Sequence, residues 1–460
     1  MINPRKMGKI KPNHCFTYRT QSITSPCYLS KRLFARKMNM TLFIAFGIRK
    51  EMTNHTYRMF ERHVIALTLF LICTLHTMIY NFFQIPYTFL KDNIPATIIA
   101  LNILLYSVAL ITALLYPLLI RFFTLKYTLI GALFCNALAL ICIWISEALG
   151  EFFPLIALSI FFIGLSCISV INCLISYITI EFPKTLAIAI VGLFIFANLG
   201  ILIQSVLYDY FLGKNFNVIF CVVSLFLLFA SIWFVHVKFF NISFPKHLAH
   251  LRHSNILWKE LHYRLALFVL VMLCYGAVET IFAIWSLDYL EQFLSLANVN
   301  LATTLFFLFM IIGLITLLPS IYFYSARKIF SFLVLFMIGV TYFLAWQTNL
   351  LPLLAGYIAA GFGCSVVVAI LIAFFEEETI VSCRRSKIPS HLPFTEIGIS
   401  LMMGGYFTGV GITTLLIIKF QSTPQITDRA IFYWAVFFFI IIGLVSTYLN
   451  WGASRPIKAK

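Results

Sequence analysis

The chain has 460 residues, 62% of them hydrophobic and 11% charged, with a mean hydropathy of +0.97 and a formal net charge of +17. A soluble domain carries about 25% charged residues, so this composition excludes a soluble enzyme and points to a polytopic membrane protein. The basic excess must then be explained by where it lies along the chain, because no stretch joins a basic face to a nucleic-acid-binding motif.

Residues 1–60 read as a basic cytoplasmic tail. The first 50 contain 11 Lys or Arg and no Asp or Glu, a composition shared by transit peptides and solvated tails. A start at Met38, Met40 or Met52 would remove most of it, and no function is expected of it. Twelve apolar stretches follow, each near the ~20 residues a helix needs to cross about 30 Å of hydrocarbon. They lie at 64–85, 98–120, 127–145, 153–178, 186–207, 218–237, 264–286, 301–324, 329–346, 352–375, 397–418 and 430–449. Inside a bilayer a helix satisfies its own backbone polar groups. The expected fold is therefore an all-α polytopic membrane protein, with 12 transmembrane helices in two six-helix bundles and both termini cytoplasmic. The bundles are expected at 61–237 and 264–449, joined by a cytoplasmic loop at 238–263 and followed by a tail at 450–460.

Charge supports that topology. Of 33 Lys and Arg, only Lys91, Lys214, Lys419 and Arg429 fall on the face opposite the termini. Basic residues near span ends stay cytoplasmic. None of the 11 Cys lies in an outside loop, and they read as small packing residues. The central loop is His-rich (His236, His247, His250, His253, His262), but the spacings are irregular and no metal site is expected.

The two halves repeat weakly at an offset near 200 residues. Arg62 precedes span 1 and Arg264 opens span 7. Arg121 follows span 2; Arg327 and Lys328 follow span 8. Glu181 ends span 4; Glu376, Glu377 and Glu378 end span 10. Pairing of Arg121 with Glu181, and of Arg327 with the Glu376 run, is expected when that face closes. Exposed pairs are worth only about 0–1 kcal/mol each, which suits a reversible gate.

Twelve spans, cytoplasmic termini and a long central loop resemble the major facilitator superfamily over about residues 62–450. The family's Gly-x-Leu-x-Asp-Arg-x-Gly-Arg-Lys-like signature corresponds here to Pro117-Leu-Leu-Ile-Arg121-Phe-Phe-Thr-Leu-Lys126. Leu119 and Lys126 fit. Arg121 stands at the Asp position and Thr124 at the second Gly position. The resemblance implies two bundles related by an axis along the membrane normal, a substrate site between them near the midplane, and rocking between two open states. It also implies that spans 1 and 7 line the central cavity.

Few polar groups lie inside the spans. Glu279 in span 7 is the one carboxylate read as deep within a helix. Such a group costs several kcal/mol unless it faces a cavity or partner, so it is a functional candidate. Desolvation favours its protonated form, which suits proton coupling. Tyr275 shares its face. Span 1 carries His76, Tyr80 and Gln84 in one stripe, and aligning Arg62 with Arg264 brings His76 near the repeat position of Glu279. A His76–Glu279 relay competes with a packed, neutral His76. Asn102, Tyr106, Asn172, Asn198 and Tyr357 are cavity candidates, with interhelical hydrogen bonding the alternative. Gly404, Gly405, Gly409 and Gly411 in span 11 read as close helix packing or a gating seam.

No Lys or Arg falls in the centre of a span, which disfavours a multiply anionic solute. No nucleotide loop and no catalytic triad or His-Glu-x-x-His motif occurs, so neither an enzyme nor a cofactor is expected. The expected function is secondary active transport of a small organic solute by alternating access in an inner (plasma) membrane, coupled to protons as a symporter. The expected partners are the lipid bilayer, the solute and protons, with the chain acting as a monomer. Export of amphipathic compounds is the alternative within transport. A membrane enzyme acting on lipid-linked substrates is the alternative class, disfavoured because the outside loops lack His and Cys.

Overall fold

A computed structural model of the protein describes residues 54–83, 95–150, 152–182, 185–211, 216–236, 251–285, 290, 294–324, 326–385, 392–421 and 430–453. Contacts group the chain into two compact units, Met1–Tyr57 and Arg58–Lys460, and the helical bundle belongs to the second. The tail expected at 1–60 falls almost wholly outside the described residues, as does Gln84.

The described elements are helical throughout. In chain order they are α1 (Asn54–Phe83), α2 (Pro95–Ala148), α3 (Phe153–Glu181), α4 (Leu186–Phe211), α5 (Phe216–His236) and α6 (Leu251–Thr280). A π turn at Ile281–Trp285 extends α6. Then come α7 (Leu296–Phe323), α8 (Ala326–Leu344), α9 (Leu350–Arg385), α10 (Leu392–Gln421) and α11 (Ala430–Ala453). Nine apolar stretches among the described residues are long enough to cross a membrane. One of them, Thr97–Ala148, has 52 residues. At 1.5 Å per residue it is about 78 Å long, enough for two crossings. Shorter apolar helices, Val222–Val235 and Lys328–Leu344, fall where spans 6 and 9 are expected.

Several helices are longer than the expected spans, and two of the differing boundaries bear on the sites below. The first is α6, which begins at Leu251, in the middle of the expected 238–263 loop. Leu251, Leu257, Trp258 and Leu261 recur at helical spacing, and neither Gly nor Pro intervenes before Gly276. The second is α10, which begins at Leu392 rather than 397. That shift takes Glu396 out of an expected loop and into a helix.

Spans 2 and 3 are not separated by a loop. They are two arms of α2, broken at the single residue Thr124, with φ 64° and ψ 161°. That region belongs almost entirely to glycine, because a Cβ there crowds the backbone. Thr124 is the position where the major facilitator signature has its second Gly. Two residues on, the Lys126 amine donates to the Val235 carbonyl at 2.7 Å. A cation thus meets the negative C-terminal end of α5 and fixes the second arm of α2 against it.

Lipid tails are as apolar as leucine, so burial alone does not hold such helices together; close packing of small residues does. The tightest contacts run between α6 and α10. A Cβ at Gly276 would lie 2.2 Å from the Tyr406 carbonyl oxygen, and one at Gly409 only 2.0 Å from that of Leu273. Gly405 also sits close to Val269, at 2.8 Å from its carbonyl oxygen. Gly404 and Gly411 face the other way, onto Ala113 and the Tyr106 ring of α2. Thus α10 has a small-residue face for each neighbour, in line with the close-packing reading of its glycines.

Thr124→Gly should remove the backbone strain, and with it a buried hydroxyl that has no hydrogen-bond partner. A gain of about 1–2 kcal/mol is expected, read as a higher midpoint of thermal unfolding in detergent. An unchanged or lower midpoint would show that the turn at Thr124 is not strained.

Candidate transport site

Glu279 lies near the end of α6. It comes nine residues after the outward-facing Leu270, about 180° round the helix at 100° per residue. The residue is half-buried. Its carboxyl faces the hydroxyls of Tyr275, one turn earlier, and of Tyr406 on α10. The two tyrosine rings stack with centroids 6.2 Å apart. The Tyr275 hydroxyl donates its proton to the Cys364 carbonyl of α9 at 2.7 Å. Towards Glu279 the Tyr275 oxygen therefore has lone pairs to offer and no hydrogen.

Two more tyrosines approach from the first part of the chain. Tyr80 of α1 stands edge-on to Phe407 at 5.3 Å, and its hydroxyl faces Tyr106 of α2. Tyr106 in turn faces Tyr406. A carboxyl and four tyrosines thus converge from α1, α2, α6 and α10. Three of those tyrosines, Tyr80, Tyr106 and Tyr275, are legible as polar positions in apolar spans. Tyr406 is not, because it sits inside the glycine run of α10. The signal for it is the close α6–α10 approach at Gly276, which brings the Tyr406 backbone to within contact of α6.

His76 is placed elsewhere. Its Nδ1 accepts from the Asn136 amide at 2.9 Å, and its Nε2 lies 3.3 Å from the Cys167 carbonyl. Ser166 donates to Asn136 at 2.6 Å. With Nε2 protonated and Nδ1 bare, every member of this chain is satisfied. No contact between His76 and Glu279 occurs among the described residues, so the structure does not bring the relay together. Asn102 and Asn198 donate to Ile98 and Phe194 of their own helices, at 3.0 and 2.9 Å. Tyr357 is buried in a ring cluster with Phe282 and Phe306. Asn172 bonds across to α10 through Ser400. Asn102 and Asn198 thus bond within their own helices, and none of the four has a contact with Glu279 among the described residues.

An apolar groove of about 420 Å³ between α8 and α9, lined by Leu335, Phe336, Gly339, Val340, Phe343 and Ala359, opens to the outside. It offers no polar group to a solute. No cluster of His, Cys, Asp and Glu among the described residues can hold a metal ion.

Known structures match this arrangement over most of the chain. The fucose:proton symporter FucP of E. coli superposes with a TM-score of 0.66 at 15% identity, covering 84% of this chain and 99% of that one. The nucleoside transporter NupG gives 0.60 at 14%, with the same coverages. A bacterial homologue of the iron transporter ferroportin, in an outward-facing state, gives 0.63 at 13%, again covering 84% and 99%. The chain has the major facilitator fold. It is a multi-pass integral membrane protein. No family model matches the sequence, and no curated protein does.

In this fold the charged residues Glu181 and Glu378 differ from expectation in their partners. Glu181 pairs with Arg62 at 2.8 Å, and Glu378 pairs with Arg264. Arg121 is exposed, and Glu376 is buried. The side chain of Arg327 lies outside the described residues. The pairs thus join the first and fourth spans of each repeat, where the expectation joined the second and fourth. The repeat itself contains these positions: Arg62 and Arg264 are the equivalent basic residues that open each half. Arg62, about two turns into α1, reaches Glu181, the last residue of α3, whereas Arg121 at the end of the first arm of α2 is exposed.

A double-mutant cycle on Arg62 and Glu181 should show a coupling of about 0.5–1 kcal/mol, as Arg62 is half-exposed. The Arg121–Glu181 cycle should be additive within about 0.3–0.5 kcal/mol. The reverse ranking, measured by thermal unfolding, would reinstate the expected pair.

Proposed function

We propose that this protein is a secondary active transporter that moves a small organic solute by alternating access, coupled to protons through Glu279. Twelve crossings are read from nine long stretches, the double length of α2 and the two shorter apolar helices. Both termini are placed on the cytoplasmic face by the bias of Lys and Arg. The halves at 61–237 and 264–449 rock about the site between them, with the protein acting as a monomer.

The observation that carries the coupling is the environment of Glu279. A carboxyl within the apolar stretch His262–Ala283, turned away from the outer face and met by tyrosine hydroxyls, stands where a solute and a proton can meet. With the Tyr275 proton engaged at Cys364, the O–H for that contact comes from a protonated Glu279. Arrival or departure of the proton changes the donors offered to a solute at the same point, which ties the two together. Tyr80, Tyr106, Tyr275 and Tyr406 supply the remaining hydroxyls and flat apolar faces. The arrangement contains no fixed cation, which favours neutral, zwitterionic, cationic or amphipathic solutes over multiply anionic ones. The similarity to a fucose:proton symporter supports proton symport as the direction of coupling.

Glu279→Gln keeps the shape of the protonated side chain. In liposomes it should still bind and exchange solute but should no longer accumulate it when a pH gradient is imposed. Candidate sugars, nucleosides, amino acids and cationic dyes are screened on the wild type first. A Glu279→Gln protein that accumulates solute with unchanged pH dependence would remove Glu279 from the coupling.

A further inference from the structure

The first turns of α10 pack against α2 and α3 through a polar seam that the Glu279 group does not use. Ser400 donates to the Ala113 carbonyl of α2 at 2.7 Å, and the Asn172 amide of α3 donates to Ser400 at 3.1 Å. The other amide atom, Asn172 Oδ1, is buried without a hydrogen-bond partner. One turn before Ser400 on α10 stands Glu396, only 7% exposed. Opposite it, one turn on from Ala113 and beside Asn172, are Tyr116 and Cys173. The Tyr116 hydroxyl lies 3.4 Å from Ser176 Oγ and 3.6 Å from Cys173 Sγ. All of these groups lie towards the face that carries the Arg62–Glu181 and Arg264–Glu378 pairs.

We propose that Glu396 is a second proton-binding site, and that loss of its proton parts the seam between α10 and the α2–α3 pair. The groups facing it are Tyr116 from α2 and Cys173 from α3. From α9, the Phe375 ring packs on Gly398. No Lys, Arg or His pairs with Glu396 among the described residues. Among the described residues such a carboxylate has no counter-ion, and burying one without a partner costs several kcal/mol. A protonated carboxyl carries no such cost and brings an O–H to a seam that already holds an acceptor without a donor. Parting the helices admits water, which hydrates the carboxylate. The closed seam therefore binds the proton more tightly than the open one. By linkage, acid on this face favours closure and base favours opening. Tyr406 lies ten residues further along α10, about 15 Å at 1.5 Å per residue. One rigid helix thus touches Glu279 at one level and holds Glu396 at another.

Cys173 reports on this seam, since it is buried while the seam is closed. The full chain is reconstituted in liposomes with equal pH on both faces and treated with N-ethylmaleimide. Labelling of Cys173 is followed by mass spectrometry in wild type and Glu396→Gln at each pH from about 5.5 to about 8. The ratio of the two rates cancels ionisation of the thiol itself. It should rise about tenfold across the range, as one linked proton allows up to tenfold per pH unit. A flat ratio overturns the proposal. If Glu396→Gln fails to fold, Glu396→Asp replaces it, and the midpoint of Cys173 labelling should shift with the shorter acid; an unshifted midpoint overturns the proposal. The response should persist in Glu279→Gln. Its loss there would assign the pH dependence to Glu279 and overturn the role of Glu396, whereas failure of Glu279→Gln to lose accumulation leaves the seam experiment unaffected.

Discussion

Everything at the centre of this protein depends on how closely α6 and α10 approach each other. Gly276, Gly405 and Gly409 let the two backbones touch at distances that leave no room for a Cβ. In a bilayer, where lipid competes for every apolar surface, such contact is a main source of helix association. It also sets chemistry. Gly276 meets the Tyr406 carbonyl directly, and Glu279 follows three residues later on α6. The Tyr406 hydroxyl reaches the carboxyl only because the helices lie at this spacing. Tyr275 reaches α9 from the same helix, so Glu279 is held by a frame of three helices rather than by its own rotamer alone.

The spans are legible because their signal is crude: twenty apolar residues in a row, repeated, with basic residues sorted between alternate connections. Glu279 is legible for a related reason, as a lone acid in such a run stands out and is costly enough to need a purpose. Which groups meet cannot be read in the same way. Periodicity places a residue on a face of its helix but does not name the helix opposite. So Tyr80, Tyr106 and Tyr275 can be picked out and Tyr406 cannot. His76 is recognisable as buried and polar, but its partners, Asn136 and the Cys167 carbonyl, lie on α2 and α3, which no pattern in α1 announces. Glu396 is lost to a boundary. A few residues' difference in where α10 begins decides whether it counts as loop or interior.

The region around Thr124 shows how a degenerate signature can keep its geometry. Where the major facilitator pattern has glycine, this chain has threonine, yet the backbone still takes the conformation that glycine favours. Lys126, which does fit the pattern, fixes the following arm on the end of α5. The turn is therefore imposed by the helices on either side, which bury residues such as Tyr116, Ile120 and Leu129, and not by the local preference of Thr124. Tertiary packing can enforce a strained residue of this kind when enough surface on both sides depends on it. The resemblance weakens at the level of letters and persists at the level of shape.

Charge inside the bundle follows a consistent rule. Arg62 and Arg264 are partly exposed where they meet Glu181 and Glu378, and a pair with an exposed partner is weak and can break. Glu279 and Glu396 occur without any Lys or Arg at the centre of a span, and the histidine of α1 is hydrogen-bonded at both ring nitrogens. Acids without cations are tolerable in such a place only if they carry protons or face water, and they can exchange one condition for the other when helices move. In the proposed cycle that exchange is the working event. An Arg or Lys beside Glu279 would fix the carboxylate permanently and remove the choice. The lack of interior cations is thus what leaves these acids free to respond to a proton, a solute or an opening seam.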